Sequence, residues 1–238
     1  MAFAGNTTKA FDSDLRILSQ MLVEMGELAE RQVTETIRVL TSCDKVSARQ
    51  LVAADVAIDS TERMIDKKVV EMIARRQPVS VDPRQVLSIL RIAHELERIG
   101  DLAKNIAKRI LALGAEDLTR SSMIGVRQMA IVMLGRLRDV LASFGRRDHE
   151  LAVDVWVRDE DVDRLCMSLF HELVACMTED PGAVMSGVHL LFCTKNLERM
   201  GDHATNIAES VYYMVEGHRL LGERPKADVT STMSTMTR

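Results

Sequence analysis

The sequence predicts an all-α protein made of two tandem, pseudo-symmetric three-helix bundles, with six long helices in all. Three observations predict this fold class. Aromatic residues make up only 3% of the 238 residues, and the aliphatic residues that dominate instead favour helices over strands. Four prolines and twelve glycines are too few turn signals for an all-β or βαβ chain of this length. One short segment also occurs twice, once in each half of the chain.

Apolar residues at three- and four-residue spacing predict the helices of the first repeat. The first helix is predicted over residues 14–41, and a second periodic stretch continues to about residue 76. The segment QPVSVDPR then supplies two prolines and a helix start. The third helix follows this segment and is predicted to end at Gly114.

The same plan restarts near Leu118 and predicts the second repeat. The fourth helix is predicted over residues 121–145 and the fifth, as a single helix, over residues 149–177. The sixth helix is opened by Pro181 and continues to residue 217. Because long helices joined by short connections pack as antiparallel neighbours, each set of three should form an up-down-up bundle.

The predicted helices divide the chain into four parts. They are a flexible N-terminus (1–10), the first repeat (11–116), the second repeat (117–219) and a disordered C-terminal tail (220–238). The tail is predicted because the sequence GERPKADVTSTMSTMTR lacks apolar periodicity.

Charge and cysteine usage exclude several classes of protein. A net charge of −4 and a pI near 5.9 lack the basic footprint of a nucleic-acid-binding protein. The four cysteines form no CxxC pair, which indicates reduced thiols in a cytoplasmic protein. No apolar run approaches the roughly 18 residues that span a bilayer. Any membrane contact is therefore expected to go through a partner.

Pairs of carboxylates four residues apart are repeated in each half of the chain. The third helix of each repeat carries a Glu/Asp pair, and the second helix carries a pair of aspartates. Because these helices should run antiparallel, residues equally far from their connecting turn should meet, and the pairs should face each other. The eight candidate ligands are Asp55, Asp59, Glu97 and Asp101 in the first repeat, and Asp159, Asp163, Glu198 and Asp202 in the second.

Crowded carboxylates need positive charge between them, which a metal ion or basic side chains can supply. Four carboxylates without cysteine suit magnesium, manganese or iron, and zinc also binds such ligands. The alternative is a metal-free structural or interaction bundle, in which nearby basic residues form salt bridges with the acids. Gly100 and Gly201 lie between the paired acids and indicate either close packing or room for a ligand. The basic residues that are close enough in sequence are Arg63, Arg91, Arg98, Lys104 and Arg199.

A carboxylate-bridged di-metal helical-bundle enzyme is a further alternative. Such enzymes normally carry Glu-x-x-His on two helices, and this chain contains none. His203 adjoins Asp202 and is interpreted as a solvated or capping residue, whereas His94 is interpreted as a helix-surface or interface residue. The phosphate-loop motif GxxxxGK[ST] is also absent. The sequence therefore predicts a protein that is not an enzyme.

The repeated segments LERIGDLAKNIA and LERMGDHATNIA, residues 96–107 and 197–208, resemble the doubled signature of the PhoU family of bacterial phosphate-transport regulators. The segment QPVSVDPRQ resembles the one that leads into the family's third helix. The second repeat departs from this pattern, with PGAVMSG in place of the fuller segment. The resemblance extends from Phe11 to Gly217 and implies a fold of two similar three-helix bundles.

The resemblance also implies a function. Family members repress the phosphate-starvation regulon when phosphate is plentiful, by coupling the ATPase subunit of the phosphate-specific ABC transporter to a sensor histidine kinase. Their acidic motifs have been associated with multinuclear clusters of iron or zinc, and all eight acids above stand at positions of these motifs. The resemblance further implies a homodimer.

Overall fold

The computed structural model describes residues 2–76, 83–113, 120–222 and 224. Regular structure in this part of the chain is helical, which confirms the predicted all-α class. The α-helices are α1 (Ala2–Ser42), α2 (Lys45–Ala54), α3 (Val56–Arg76), α4 (Arg84–Ala112), α5 (Arg120–Arg146), α6 (His149–Val157), α7 (Asp159–Glu179) and α8 (Val184–Glu216), with one 3₁₀ turn (Pro181–Ala183) before α8.

The predicted plan of six long helices is confirmed, with α2 and α3 forming the second helix and α6 and α7 the fifth, each interrupted at one residue. Asp55 separates α2 from α3, and Arg158 separates α6 from α7. A buried aspartate marks both interruptions: Asp55 is the interrupting residue in the first repeat, and Asp159 directly follows Arg158 in the second. Periodicity does not reveal them, since the apolar spacing continues across both.

The joints that follow α1 and α5 are built alike in the two repeats. Cys43 and Arg147 adopt left-handed backbone conformations, with φ of 51° and 54°, and these residues end the preceding helices. Each is followed by an aspartate, and the carboxylates of Asp44 and Asp148 accept backbone N–H groups of α2 and α6. The similarity of these joints supports the internal repeat.

The third helices of the two repeats, α4 and α8, pack against each other at the centre of the molecule. Leu96 and Ile99 of α4 and Met200 of α8 are fully buried, within a hydrophobic core that extends through both repeats. Because both helices are central, the acidic positions of the duplicated segment are held by rigid, well-packed elements.

Several predicted boundaries differ from the structure or lie outside it. Helix α1 begins at Ala2, earlier than the predicted residue 14, because the helical backbone continues beyond the apolar stripe. The predicted end at Gly114, the boundary between residues 116 and 117 and residues 225–238 of the predicted tail lie outside the described residues. Among the helices of the described ranges, none combines the length and apolar character that crossing a bilayer requires.

Candidate functional site

Asp55 is the centre of the acidic cluster in the first repeat. Its side chain is only 4% exposed, and the amide of Gln32 on α1 donates to Oδ1 at 3.1 Å. The ammonium of Lys104 donates to Oδ2 of Asp55 and, at 2.6 Å, to Oδ1 of Asp101. Lys104 therefore joins two of the four predicted ligands, and it forms salt bridges of the kind that the metal-free alternative predicts.

The protonation state of Lys104 follows from this arrangement. Hydrogen bonds to Asp101 and Asp55 raise the pKa of Lys104 well above its usual range, although burial opposes the shift. The side chain is therefore a cation at neutral pH, and it supplies positive charge for which the sequence left open a metal ion or a basic side chain.

Glu97 faces a different set of neighbours from Asp55. A carboxylate oxygen of Glu97, one of Glu62 and a ring nitrogen of His94 all lie within 4.8 Å of one another. Arg98 approaches Oε2 of Glu97 at 3.5 Å. Burial and the negative charge of Asp101 raise the pKa of Glu97 despite that arginine. Glu97 and Asp55 are thus divided between two neighbouring groups of side chains.

Asp159 is the centre of the cluster in the second repeat. The buried guanidinium of Arg136 on α5 donates to Oδ1 of Asp159 at 3.0 Å and to the hydroxyl of Thr205 at 2.8 Å. Thr205 in turn donates to Oδ1 of Asp159 at 2.8 Å. Burial lowers the pKa of Arg136, and the charge of Asp159 acts against that shift. A fixed cation therefore holds the most deeply buried acid of this repeat.

Arg224, which follows α8 in the chain, also binds the acids of this cluster. Its guanidinium donates to Oδ2 of Asp159 at 2.5 Å and to Oδ1 of Asp202 at 2.6 Å. Arg224 lies within the predicted disordered tail, yet it makes two charge-assisted bonds to predicted metal ligands. Sequence reasoning missed this contact because a single arginine in a polar segment gives no periodic signal.

The remaining predicted ligands differ in their burial. Asp59 is half-buried on α3, whereas Asp163 and Glu198 are buried on α7 and α8. Lys195 approaches Oε2 of Glu198 at 3.3 Å. Among the described residues, no three of the eight predicted acids bring carboxylate oxygens within 4.8 Å of one another. The structure joins Asp55 to Asp101 through Lys104, and Asp159 to Asp202 through Arg224.

The eight acids offer the oxygen ligands that hard metal ions prefer, but basic side chains already bind several of them. A metal ion bridging Asp55 and Asp101 would have to displace Lys104, and one bridging Asp159 and Asp202 would have to displace Arg224. Metal binding by these residues therefore stays a prediction.

Other residues missed at the sequence level share a recognisable signal. Gln32 and Arg136 are polar residues on otherwise apolar faces of α1 and α5, where Val33 and Leu137 beside them are buried. A polar side chain on a buried face needs a partner, which in both cases is a buried aspartate.

Glu95 and His203 connect the two repeats across α4 and α8. Nδ1 of His203 lies 2.6 Å from a carboxylate oxygen of Glu95, and the amide of Asn206 donates to the same oxygen at 3.1 Å. Burial would raise the pKa of Glu95, but these hydrogen bonds outweigh it and lower the pKa. The interpretation of His203 as a solvated or capping residue is therefore wrong.

Comparison with known proteins identifies the repeated unit. The PhoU domain model matches residues 22–110 and again residues 126–211. A phosphate-specific transport system accessory protein PhoU homolog from Rhizobium meliloti (strain 1021) is 43% identical over 96% of each chain. The homolog of the same name from Caulobacter vibrioides (strain NA1000 / CB15N) is 40% identical over 95% of this chain and 98% of its own.

Solved structures agree with the sequence comparisons. The crystal structure of PhoU from Pseudomonas aeruginosa is 36% identical and superposes with a TM-score of 0.83, covering 87% of this chain and 100% of that one. The regulatory protein PhoU from Streptococcus pneumoniae is 28% identical with a TM-score of 0.81, over 88% of this chain and 99% of that one. The two matched domains, the near-complete coverage and the shared fold show that the chain belongs to the PhoU family.

Proposed function

We propose that this chain is an accessory protein of the phosphate-specific transport system and a negative regulator of phosphate uptake and the phosphate-starvation regulon. The observation that carries the proposal is the 43% identity, over 96% of both chains, to a relative named as such an accessory protein. Near-complete coverage matters because it leaves no additional catalytic domain in that relative to account for its name.

The proposed partners are the ATPase subunit of the phosphate transporter and a phosphate-sensing histidine kinase. In this proposal the chain acts in the cytoplasm as a homodimer, and it reaches the inner membrane only through these partners. A bundle of long helices suits an adaptor because helix faces can dock partners at separate places.

The structure also supports a role that is not enzymatic. The most buried acids, Asp55 and Asp159, are held by cationic side chains, as structural ion pairs are. The relatives are named as accessory proteins and the solved structures as PhoU proteins.

Deletion of the gene tests the regulatory proposal. Phosphate-starvation genes should stay expressed at high phosphate in the deletion strain, and the wild-type gene should restore repression. Normal repression in the deletion strain would contradict the proposal. Pull-downs with the separate ATPase subunit and kinase then test the adaptor step, and failure with both would remove it.

We propose metal binding by the eight acids as a separate part of the function, with iron, zinc, manganese or magnesium as candidates. What supports it is the presence of the acids at corresponding positions of both repeats. The built-in cations oppose it, because a bridging ion must compete with Lys104 and Arg224.

Elemental analysis of the purified chain tests this part. Bound metal should fall in Glu97→Ala and in Glu198→Ala, which interrupt one cluster each. Protein that stays free of metal after addition of iron, manganese, zinc or magnesium would refute metal binding, and it would leave the regulatory proposal intact.

A further inference from the structure

Glu62, His94 and Glu97 form a mixed carboxylate and imidazole group on the adjacent helices α3 and α4. Nδ1 of His94 lies 3.4 Å from Oε1 of Glu62, and one ligand atom from each residue lies within 4.8 Å of the other two. His94 and Glu97 are three residues apart, so they share one face of α4. Two helices therefore direct three ligand atoms towards a common point.

The three side chains of this group differ in their exposure to solvent. The carboxylates are largely covered, with 22% of the Glu62 side chain and 16% of the Glu97 side chain exposed, whereas His94 is 54% exposed. Arg98 approaches Glu97 at 3.5 Å, but it is itself half-exposed and its charge is partly screened. The group thus combines an accessible imidazole with two carboxylates that are largely shielded from water.

The second repeat provides an internal comparison. The residues that correspond to Glu62, His94 and Glu97 are Cys166, Lys195 and Glu198, and Lys195 lies 3.3 Å from the carboxylate of Glu198. The second repeat thus has a fixed ammonium where the first has an imidazole. An imidazole nitrogen can coordinate a metal ion, whereas the ammonium of a lysine repels one, so only the first repeat has a nitrogen ligand at this position.

We propose that Glu62, His94 and Glu97 bind one divalent first-row transition-metal ion of the zinc type, and that the second repeat has no equivalent site. One nitrogen and carboxylate oxygens suit such ions, whereas magnesium disfavours imidazole. Three protein ligands leave at least one coordination position open to water or to a group from a partner. The site shares Glu97 with the proposed acidic clusters but does not require Asp55 or Asp101.

Zinc titration of the full chain by calorimetry tests the proposal. The wild-type chain should bind zinc at this site, and Glu62→Gln or His94→Gln should weaken that binding by about tenfold or more. His94→Lys is the sharpest variant, because it gives the first repeat the residue found in the second. This variant should lose the site and keep its helical circular dichroism.

Two further measurements identify the site. Cobalt(II) should give visible absorption bands that His94→Gln alters, and magnesium should not displace zinc. The control Glu27→Gln, which changes an exposed carboxylate of α1 outside every proposed site, should leave this binding unchanged. Unaltered zinc and cobalt binding in both His94 variants would overturn the proposal. A loss in Asp55→Asn with none in His94→Gln would also overturn it, and would support the acidic clusters instead.

Discussion

The two repeats share a backbone plan but neutralise their central aspartates differently. In the first repeat the cation is Lys104 on the third helix, and the first helix supplies the neutral amide of Gln32. In the second repeat the cation is Arg136 on the first helix, and the third helix supplies the hydroxyl of Thr205. The two repeats thus place the cation on different helices but keep a buried aspartate at the same position.

The difference shows that the fold requires a neutralised carboxylate at the helix interruption, not a particular basic residue. A buried carboxylate without a partner would cost several kcal/mol, so each repeat must provide a cation within reach. The second repeat adds Arg224, so the acids of its cluster pair with two cations, whereas Asp55 and Asp101 in the first repeat share Lys104. The first repeat is thus the more accessible of the two to an external ion.

Removal of the buried cation of the second repeat should have the largest effect. Arg136→Met should lower the free energy of unfolding by about 3 kcal/mol, because Asp159 loses its most buried partner. The matched change in the first repeat, Gln32→Met, should cost only about 1 kcal/mol, since it removes a neutral hydrogen bond. Urea unfolding followed by circular dichroism measures both. Equal losses would contradict the assignment of the charge to α5.

Substitutions on the third helices should reverse this order, with the larger loss of stability in the first repeat. Lys104→Met should cost about 2 kcal/mol because it leaves Asp55 with only the Gln32 amide, whereas Thr205→Val should cost about 1 kcal/mol. The same unfolding measurement applies. If Thr205→Val were the more damaging of the two, the exchange of roles between helices would be wrong.

The contact between repeats should depend on pH through Glu95. Glu95→Gln should cost about 1 kcal/mol at neutral pH, because it weakens the bonds from His203 and Asn206. The pKa of Glu95 is lowered by folding, so its contribution is present above the unfolded pKa of about 4.3 and is lost as pH falls through the folded pKa.

Unfolding midpoints of wild type and Glu95→Gln should therefore converge in acid. Asn196→Ala, at the corresponding position of α8, is the control, because a neutral side chain does not titrate. A difference between wild type and Glu95→Gln that is constant from pH 7 to about pH 3 would contradict the ionised contact.

Substitution of the duplicated glycines by alanine should have the smallest effects, and the two positions should respond differently. A Cβ at Gly201 would meet Val162 at 3.4 Å, an ordinary contact, so Gly201→Ala should stabilise the protein by about 0.5 to 1 kcal/mol through helix propensity. A Cβ at Gly100 would lie 3.0 Å from Ile58 and 3.4 Å from the Asp55 carboxylate, so Gly100→Ala should lack this gain or destabilise the protein. Thermal unfolding of the two variants separates these outcomes.

Much of the fold was predictable because it depends on local spacing. The apolar stripe of α4, with Leu96 and Ile99, and the duplicated segment on α8 predicted two repeats, and the structure confirms the fold class. The interruption at Asp55 was not predictable, because the carboxylate becomes buried only when Gln32 and Lys104 approach it from other helices.

The sequence by itself determined the helices, the internal repeat and the positions of eight acids, because periodicity and repetition depend only on the order of residues along the chain. Only the tertiary structure decided how those acids are neutralised. It brings Lys104, Arg136 and Arg224 to aspartates that are distant in sequence, and it groups His94 with Glu62 and Glu97. The physical reason is that charge pairing depends on distances across helices, which no spacing along one helix specifies.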